Sequence, residues 1–88
     1  MTYQEAYEDY LKIESALHGM YERIELKVEK KQDMLFRSWF TATVYVLLGR
    51  RTDGSILADA IRCLDGYYIT NTETGWNTSL EIELGNWK

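Results

Sequence analysis

The sequence predicts an α+β fold in which an N-terminal amphipathic helix packs on a curved antiparallel sheet of about four strands. Apolar residues recur at spacings of three and four positions over residues 3–18, which is the period of a helix. From Tyr21 onward they alternate with polar residues, which is the period of a strand. A chain of 88 residues has room for one hydrophobic core. Residues 1–88 are therefore expected to form a single α+β domain.

The first helix is predicted over residues 3–18. Thr2 and Glu5 fit a capping box, in which the Thr hydroxyl accepts a backbone N–H and the Glu side chain reaches back to the cap. Gly19 is a suitable stop signal. The apolar stripe that follows the cap consists of Tyr3, Ala6, Tyr10, Ile13, Leu17 and Met20.

Two strands are predicted after the helix. The first alternates Ile24, Leu26 and Val28 with charged residues, and residues 30–33 are predicted to be the turn. The second, from about residue 38 to 48, is apolar on both faces and would span roughly 35 Å. That is long for so small a domain, so we expect this strand to bend, to bulge or to pair over only part of its length.

The second half of the chain contains one ambiguous segment. Residues 50–54 are predicted to be a turn, and Asp-Gly pairs bracket residues 55–64 as hairpin turns would. The Ala-Asp-Ala run is poor strand material, so we favour a short second helix at residues 55–65. Its apolar face would carry Leu57, Ala60, Ile61 and Leu64. A strand at 67–70, a loop at 72–77 and a last strand at 79–84 complete the prediction, with Leu80, Ile82 and Leu84 facing inward.

The net charge of −4 is unevenly distributed along the chain. Residues 1–20 and residues 63–88 each carry four acidic side chains and one basic side chain, whereas residues 35–62 carry four basic and two acidic ones. We expect the two acidic ends to lie together and to form one acidic surface. Such a surface repels nucleic acid and attracts basic partners.

Twelve aromatic residues give the chain many side chains that suit contacts. Tyr3, Tyr10, Phe36 and Phe40 are expected in the core. Trp76 lies in a polar loop and Trp87 is next to last. Either they anchor a protein interface or they fold back and cap the end of the sheet.

Few residues in the chain suit catalysis or metal binding. His18 and Cys63 are the only pair that resembles a thiol dyad, but neither lies in a recognisable signature, and Cys63 is expected to be a small buried residue. One His and one Cys cannot build a closed zinc site, and no glycine-rich phosphate loop occurs. We therefore expect no enzymatic activity, no catalytic residues, no metal and no cofactor. A nucleic-acid-binding hypothesis would use the four arginines of the middle segment, with two aromatic residues as stacking platforms: Arg37, Arg50, Arg51, Arg62, Trp39 and Tyr45. The acidic balance of the whole chain disfavours it.

These observations together predict a non-enzymatic protein-binding domain. Its size and composition are typical of small acidic inhibitors, such as phage-encoded anti-defence proteins, that block the basic groove of a nucleic-acid-handling protein. The partner is then another protein with a basic surface. Seven residues are expected to contact it: Glu5, Glu8, Asp9, Glu73, Trp76, Glu81 and Glu83.

Two other functions remain open at this stage. The apolar second face of the long strand suits a homo-oligomeric structural or assembly subunit, such as a homodimer. A small-ligand-binding domain would need a cavity between helix and sheet, with Tyr10, Tyr45 and His18 as its polar groups. The single cysteine, the lack of a secretory signal and the lack of a long apolar segment favour a cytoplasmic protein with no membrane partner.

Overall fold

The computed structural model describes residues 1–49 and 54–88. Its elements are, in chain order, α1 (Tyr3–Ala16), β1 (Arg23–Gln32), β2 (Ser38–Gly49), α2 (Gly54–Cys63), β3 (Tyr68–Glu73) and β4 (Thr78–Trp87). The predicted α+β fold is confirmed, including the second helix. The predicted turn at 50–54 lies almost wholly outside the described residues.

Helix α1 begins at the predicted cap. The backbone N–H of Glu5 donates to Oγ1 of Thr2 at 3.2 Å, which satisfies one of the free donors of the first turn. The helix ends at Ala16, two residues earlier than predicted, and Leu17 forms its C-cap. Ala6, Ile13 and Leu17 are fully buried, so the stripe packs on the sheet as expected. Tyr3, at the start of the stripe, is 55% exposed and contributes little to the core.

The four strands form one antiparallel sheet in the order β1-β2-β4-β3. Strands β1 and β2 pair without interruption from Arg23–Leu47 to Gln32–Ser38. The predicted turn at 30–33 is therefore wrong, because β1 continues to Gln32 and the turn occupies residues 33–37. The reason is that Asp33, rather than the lysines, closes the hairpin through its side chain.

One face of the sheet carries the core, and we call it the inner face. Both helices pack on it, because buried residues from α1, from the end of α2 and from the two central strands form a single cluster. The side chains that alternate with the inner ones along each strand point the other way. They form the outer face, on which neither described helix packs. The buried cluster consists of Ile13, Leu17, Val44, Val46, Leu48, Ala60, Leu64, Leu80 and Ile82.

The long strand β2 is irregular where it meets β4, as predicted. The register shifts between Ala42 and Thr43, because Leu84 is an extra residue in β4 with no partner of its own. A second shift lies between Leu47 and Gly49. Beyond the first bulge, odd-numbered instead of even-numbered residues of β4 face inward. Trp87 therefore pairs with Phe40, and the centres of the two stacked rings are 5.8 Å apart.

The β1–β2 hairpin extends beyond the helix layer. Helix α1 has 14 residues and is about 21 Å long, whereas the 12 residues of β2 span roughly 40 Å. The described N-terminal segment reaches the sheet at Gly85, since Sδ of Met1 lies 3.1 Å from the position that a Cβ would take there. We call residues 29–41, which lie past this point, the hairpin arm. The arm gives the molecule its elongated shape of 44 × 25 × 19 Å.

Candidate binding surfaces

The outer face of the sheet combines carboxylates with half-buried aromatic and apolar side chains. Glu25, Tyr45 and Glu81 lie side by side across three neighbouring strands. Nζ of Lys27 lies 5.7 Å from the centre of the Tyr45 ring, within range of a cation–π interaction. Tyr45 and Leu47 stay only half buried because no described helix covers them.

A shallow pocket of about 250 Å³ opens on this face. Tyr45 and Leu47 contribute to its apolar lining, while Glu25, Glu73 and Glu81 supply carboxylates and Arg23 a positive charge. Glu83 follows Glu81 on the same face of β4, opposite Thr43. We refer to Glu25, Glu73, Glu81 and Glu83 as the acidic sheet face.

The structure separates the six acidic residues among the predicted contact residues into two groups. Glu73, Glu81 and Glu83 lie on the outer face, whereas Glu5, Glu8 and Asp9 belong to α1, which packs on the inner face. The expectation of one shared acidic surface is therefore wrong. The physical reason is the alternation of side chains along β4: Leu80 and Ile82 face the helix, so Glu81 and Glu83 must point away from it.

The two uncertain tryptophans have different surroundings. Trp76 is 90% exposed in the turn between β3 and β4, next to Glu73, so it does not fold back on the sheet. Trp87 is half buried against Phe40 and does cap the end of the inner face. Of the predicted contact residues, Trp76 therefore remains close to the acidic sheet face.

The tip of the hairpin arm carries an apolar cluster that the sequence analysis assigned differently. Met34, Leu35 and Phe36 are 95%, 71% and 82% exposed, and we call them the apolar tip. The expectation that Phe36 belongs to the core is wrong, because this residue lies in the turn and not in a strand. Phe40, also expected in the core, is 36% exposed, since α1 does not reach it.

Asp33 holds the apolar tip in a defined conformation. Its Oδ1 accepts the backbone N–H groups of Leu35 and Arg37, each at 2.9 Å, and its Oδ2 accepts Nε of Arg37 at 2.7 Å. Desolvation raises the pKa of Asp33, but the hydrogen bonds from Arg37 and Leu35 outweigh it and hold this pKa below its ordinary value. Phe36 completes the turn with a φ of 60°, the one positive value among the described residues other than glycine.

The arm carries three basic side chains, Lys30, Lys31 and Arg37, and two acidic ones. Glu29 accepts Nζ of Lys31 at 3.0 Å and lies 3.4 Å from Nζ of Lys27, and these two lysines lower its pKa. Lys30 and Lys88 form no ion pair with any described residue. The arm is thus basic, whereas the outer face at the opposite end of the sheet is acidic.

The residues considered for catalysis or small-ligand binding are not assembled into one site. Cys63 was expected to be buried but is exposed at the end of α2, and His18 is exposed after α1. Tyr10 packs on the inner face and donates to Oε2 of Glu14 at 3.3 Å, whereas Tyr45 lies on the outer face. Tyr10, Tyr45 and His18 therefore do not line a common cavity.

The described residues contain neither a metal-binding cluster nor a membrane-spanning helix. Within residues 1–49 and 54–88, no three His, Cys, Asp or Glu side chains are grouped so that they could hold a metal ion. No helix in that part of the chain is long and apolar enough to span a membrane.

The comparisons with known proteins found nothing similar, because no family model, no curated protein and no solved structure matches this chain. The sequence analysis missed the apolar tip, although a signal for it was present. Three consecutive large apolar residues lie between two strands that alternate in period two, and a hairpin turn is normally polar.

Proposed function

We propose that the protein acts by binding rather than by catalysis, and that it engages a basic protein surface through the acidic sheet face. The observation that supports this most directly is the group of carboxylates around half-buried Tyr45 on a face that neither described helix covers. Grouped carboxylates attract Lys and Arg side chains and steer their approach. Tyr45 and the exposed Trp76 supply the aromatic contacts that are enriched at protein interfaces.

The form of this function that we favour is a small inhibitor that blocks the basic groove of a nucleic-acid-handling protein. Such a groove attracts phosphates, and the carboxylates of this face would offer it negative charge in their place. Direct binding of nucleic acid by this face is disfavoured by like charge. Binding to the partner should weaken as salt is added, because exposed charges are screened beyond about 8 Å at physiological ionic strength.

Affinity capture from the native host, followed by mass spectrometry, identifies the partner. The decisive step compares two charge reversals on the captured complex: Glu73→Lys/Glu81→Lys on the sheet and Glu5→Lys/Glu8→Lys on α1. Both change the net charge equally, so a general charge effect would weaken both alike. We expect the sheet variant to lose at least tenfold in affinity and the helix variant to bind as the original protein does. Loss in the helix variant alone would contradict the proposal.

A second candidate function, a homo-oligomeric assembly subunit, is favoured by the apolar tip. Exposed large apolar residues commonly mark contact sites, and three of them lie together at residues 34–36. Light scattering over a dilution series tests this second function, since a protein that stays monomeric at every concentration is not an assembly subunit.

We further propose that the protein works in the cytoplasm. Its one thiol, Cys63, is exposed, and such a thiol persists unpaired in a reducing compartment. Fractionation of host cells that finds the protein exported would contradict this location.

A further inference from the structure

The apolar tip and the acidic sheet face are complementary, and we propose that the tip of one copy docks into the acidic sheet face of a second copy. This inference goes beyond the proposed function, because it gives the acidic sheet face a second occupant besides the basic partner protein. The partner surface would be the basic hairpin arm of another molecule of this chain.

Charge complementarity is the first support. Residues 28–41 and 86–88, the arm and its surroundings, carry four basic and two acidic side chains. Both acids are already engaged, Glu29 with Lys27 and Lys31, and Asp33 with Arg37. At the other end of the sheet, residues 22–27 and 71–83 carry five acidic side chains and two basic ones, of which Lys27 lies over Tyr45. The two ends of one elongated molecule thus have opposite charge.

The apolar contents of the two surfaces also fit. The pocket on the acidic sheet face has a volume of about 250 Å³, and a cavity of about 150 Å³ is enough for a benzene ring. The ring of Phe36 can enter it and contact Tyr45 and Leu47. Trp76, exposed beside the pocket, would contact Met34 or Leu35.

The tip is prepared for such docking. The hydrogen bonds of Asp33 fix the conformation of the turn before a partner binds. Phe36 has a φ of 60° and places an apolar side chain at a position where glycine is usually favoured. A loop that becomes ordered on binding loses conformational entropy, and this loss opposes association. A turn that is already ordered loses less conformational entropy when it binds.

The two surfaces cannot meet within one chain. The tip joins β1 to β2, whereas the pocket lies near the other ends of these strands, and Glu25 and Asp33 are separated by eight residues or about 26 Å of strand. Contact must therefore be between copies. A contact that uses different surfaces on the two partners is heterologous, and it extends into a chain or closes into a ring. The contact is small, so we expect dissociation constants of about 10–100 μM.

The test uses the purified full chain and two variants. Leu35→Ser/Phe36→Ser replaces two of the three apolar side chains of the apolar tip. Glu73→Lys/Glu81→Lys replaces two of the four carboxylates of the acidic sheet face. Analytical ultracentrifugation should show the original protein growing well beyond its monomer mass of 10.4 kDa with concentration, and less so at high salt. Each variant alone should stay monomeric. Mixed together they should form one-to-one pairs and nothing larger, because the mixture contains one intact tip and one intact face.

Several outcomes would overturn the inference. The inference is wrong if the original protein stays monomeric at every concentration. It is also wrong if either variant associates as the original protein does, or if the mixture of the two variants stays monomeric. Circular dichroism confirms that both variants are folded, and Glu5→Lys/Glu8→Lys, which should associate normally, controls for net charge. Sedimentation of the monomer with anionic lipid vesicles would assign the tip to a membrane surface instead. The proposed function fails separately, if a captured partner binds the face variant as tightly as the original protein.

Discussion

Phe36 has a backbone that costs the folded chain stability and a ring that contributes almost none. Its backbone is left-handed, with a φ of 60°, and its ring is 82% exposed. The left-handed region costs a residue with a Cβ roughly 1–2 kcal/mol relative to its right-handed alternative. A glycine or asparagine at this turn position would avoid that cost. The choice of phenylalanine therefore suits contact with a partner better than it suits folding.

Replacing Phe36 with glycine should accordingly stabilise the protein. We expect Phe36→Gly to raise the free energy of unfolding by about 1 kcal/mol, because glycine adopts this backbone conformation without strain. Urea unfolding followed by circular dichroism measures the change. Leu35→Gly is the matched control, since Leu35 has no positive φ, and it should give no gain. A Phe36→Gly protein that is less stable than the original would contradict the strain argument.

Asp33 gives the hairpin turn a dependence on pH. Its folded pKa lies below its ordinary value of 3.8, so the carboxylate stabilises the turn above that pH and the contribution is lost as the pH falls through the folded pKa. The amide resonances of Leu35 and Arg37 should therefore titrate with a midpoint below 3.8 in an NMR experiment. Arg37→Gln should move the midpoint upward, because it removes the charged donor. A midpoint above the ordinary value would contradict this assignment.

At the scale of elements, α2 shows how a correct helix can be assigned a partly wrong face. Ala60 and Leu64 are buried as predicted, but Ile61 is 40% exposed and Ile56 packs on the core in its place. The apolar face was predicted in an orientation that differs from the observed one by part of a helical turn. The apolar residues of this short helix are distributed so that more than one side of it could pack on the sheet. Only the contact with the sheet decides between them.

This difference in burial predicts unequal effects of truncation. Leu64→Ala should lower the free energy of unfolding by about 2–4 kcal/mol, because it opens a cavity at a residue that is 1% exposed. Ile61→Ala should cost below about 1 kcal/mol, since much of its side chain already contacts water. Thermal or urea denaturation of both variants measures the two effects. Equal losses would show that α2 packs differently.

The strands were predicted well in kind and less well in extent. Alternation of apolar and charged residues located β1 and β2, but residues 30–33 were interpreted as a turn, although three of them, Lys30, Lys31 and Gln32, belong to β1. They are strand residues of the arm, which needs no buried face because neither described helix covers it. Sequence periodicity reports burial, so it cannot locate a strand that has both faces in water.

The bulge at Leu84 is a second feature that periodicity could not locate. Simple alternation places Trp87 on the same face as Glu81 and Glu83, whereas the extra residue turns it toward Phe40. A bulge in β2 or its pairing was expected from the length of the strand, but its position was not. That position depends on the pairing partner, which a single sequence does not specify.

On the scale of the whole molecule, charge is arranged along the long axis and across the sheet. The acidic sheet face and the acidic side of α1 are separate surfaces, although the sequence analysis combined them. The information needed to separate them was present, since Leu80 and Ile82 were expected to face inward and this parity directs Glu81 and Glu83 outward. The basic arm at the other end was not expected, because its lysines precede the segment that the linear charge distribution marked as basic.

The elongated shape also predicts a gradient of local stability. The centre of the sheet, near Val44 and Ile82, lies under both helices, whereas the arm has no such cover. The backbone amides of Val44 and Val46, at the centre of the sheet, should exchange their hydrogens at least about tenfold more slowly than the amides of Lys30 and Phe40, which pair in the arm. Hydrogen exchange followed by NMR measures this difference. Uniform protection along β2 would show that the arm is stabilised by contacts other than those described.

The closure of the turn by Asp33 has a practical consequence for the use of this protein as a scaffold. Residues 33–37 are held by hydrogen bonds within the turn itself and by the strand pairs beside it, and none of the apolar tip residues contributes to the core. Foreign five-residue turns could therefore be grafted at this position, provided that their first residue is aspartate or asparagine. The result would be a small rigid stalk that displays a chosen epitope far from the packed body.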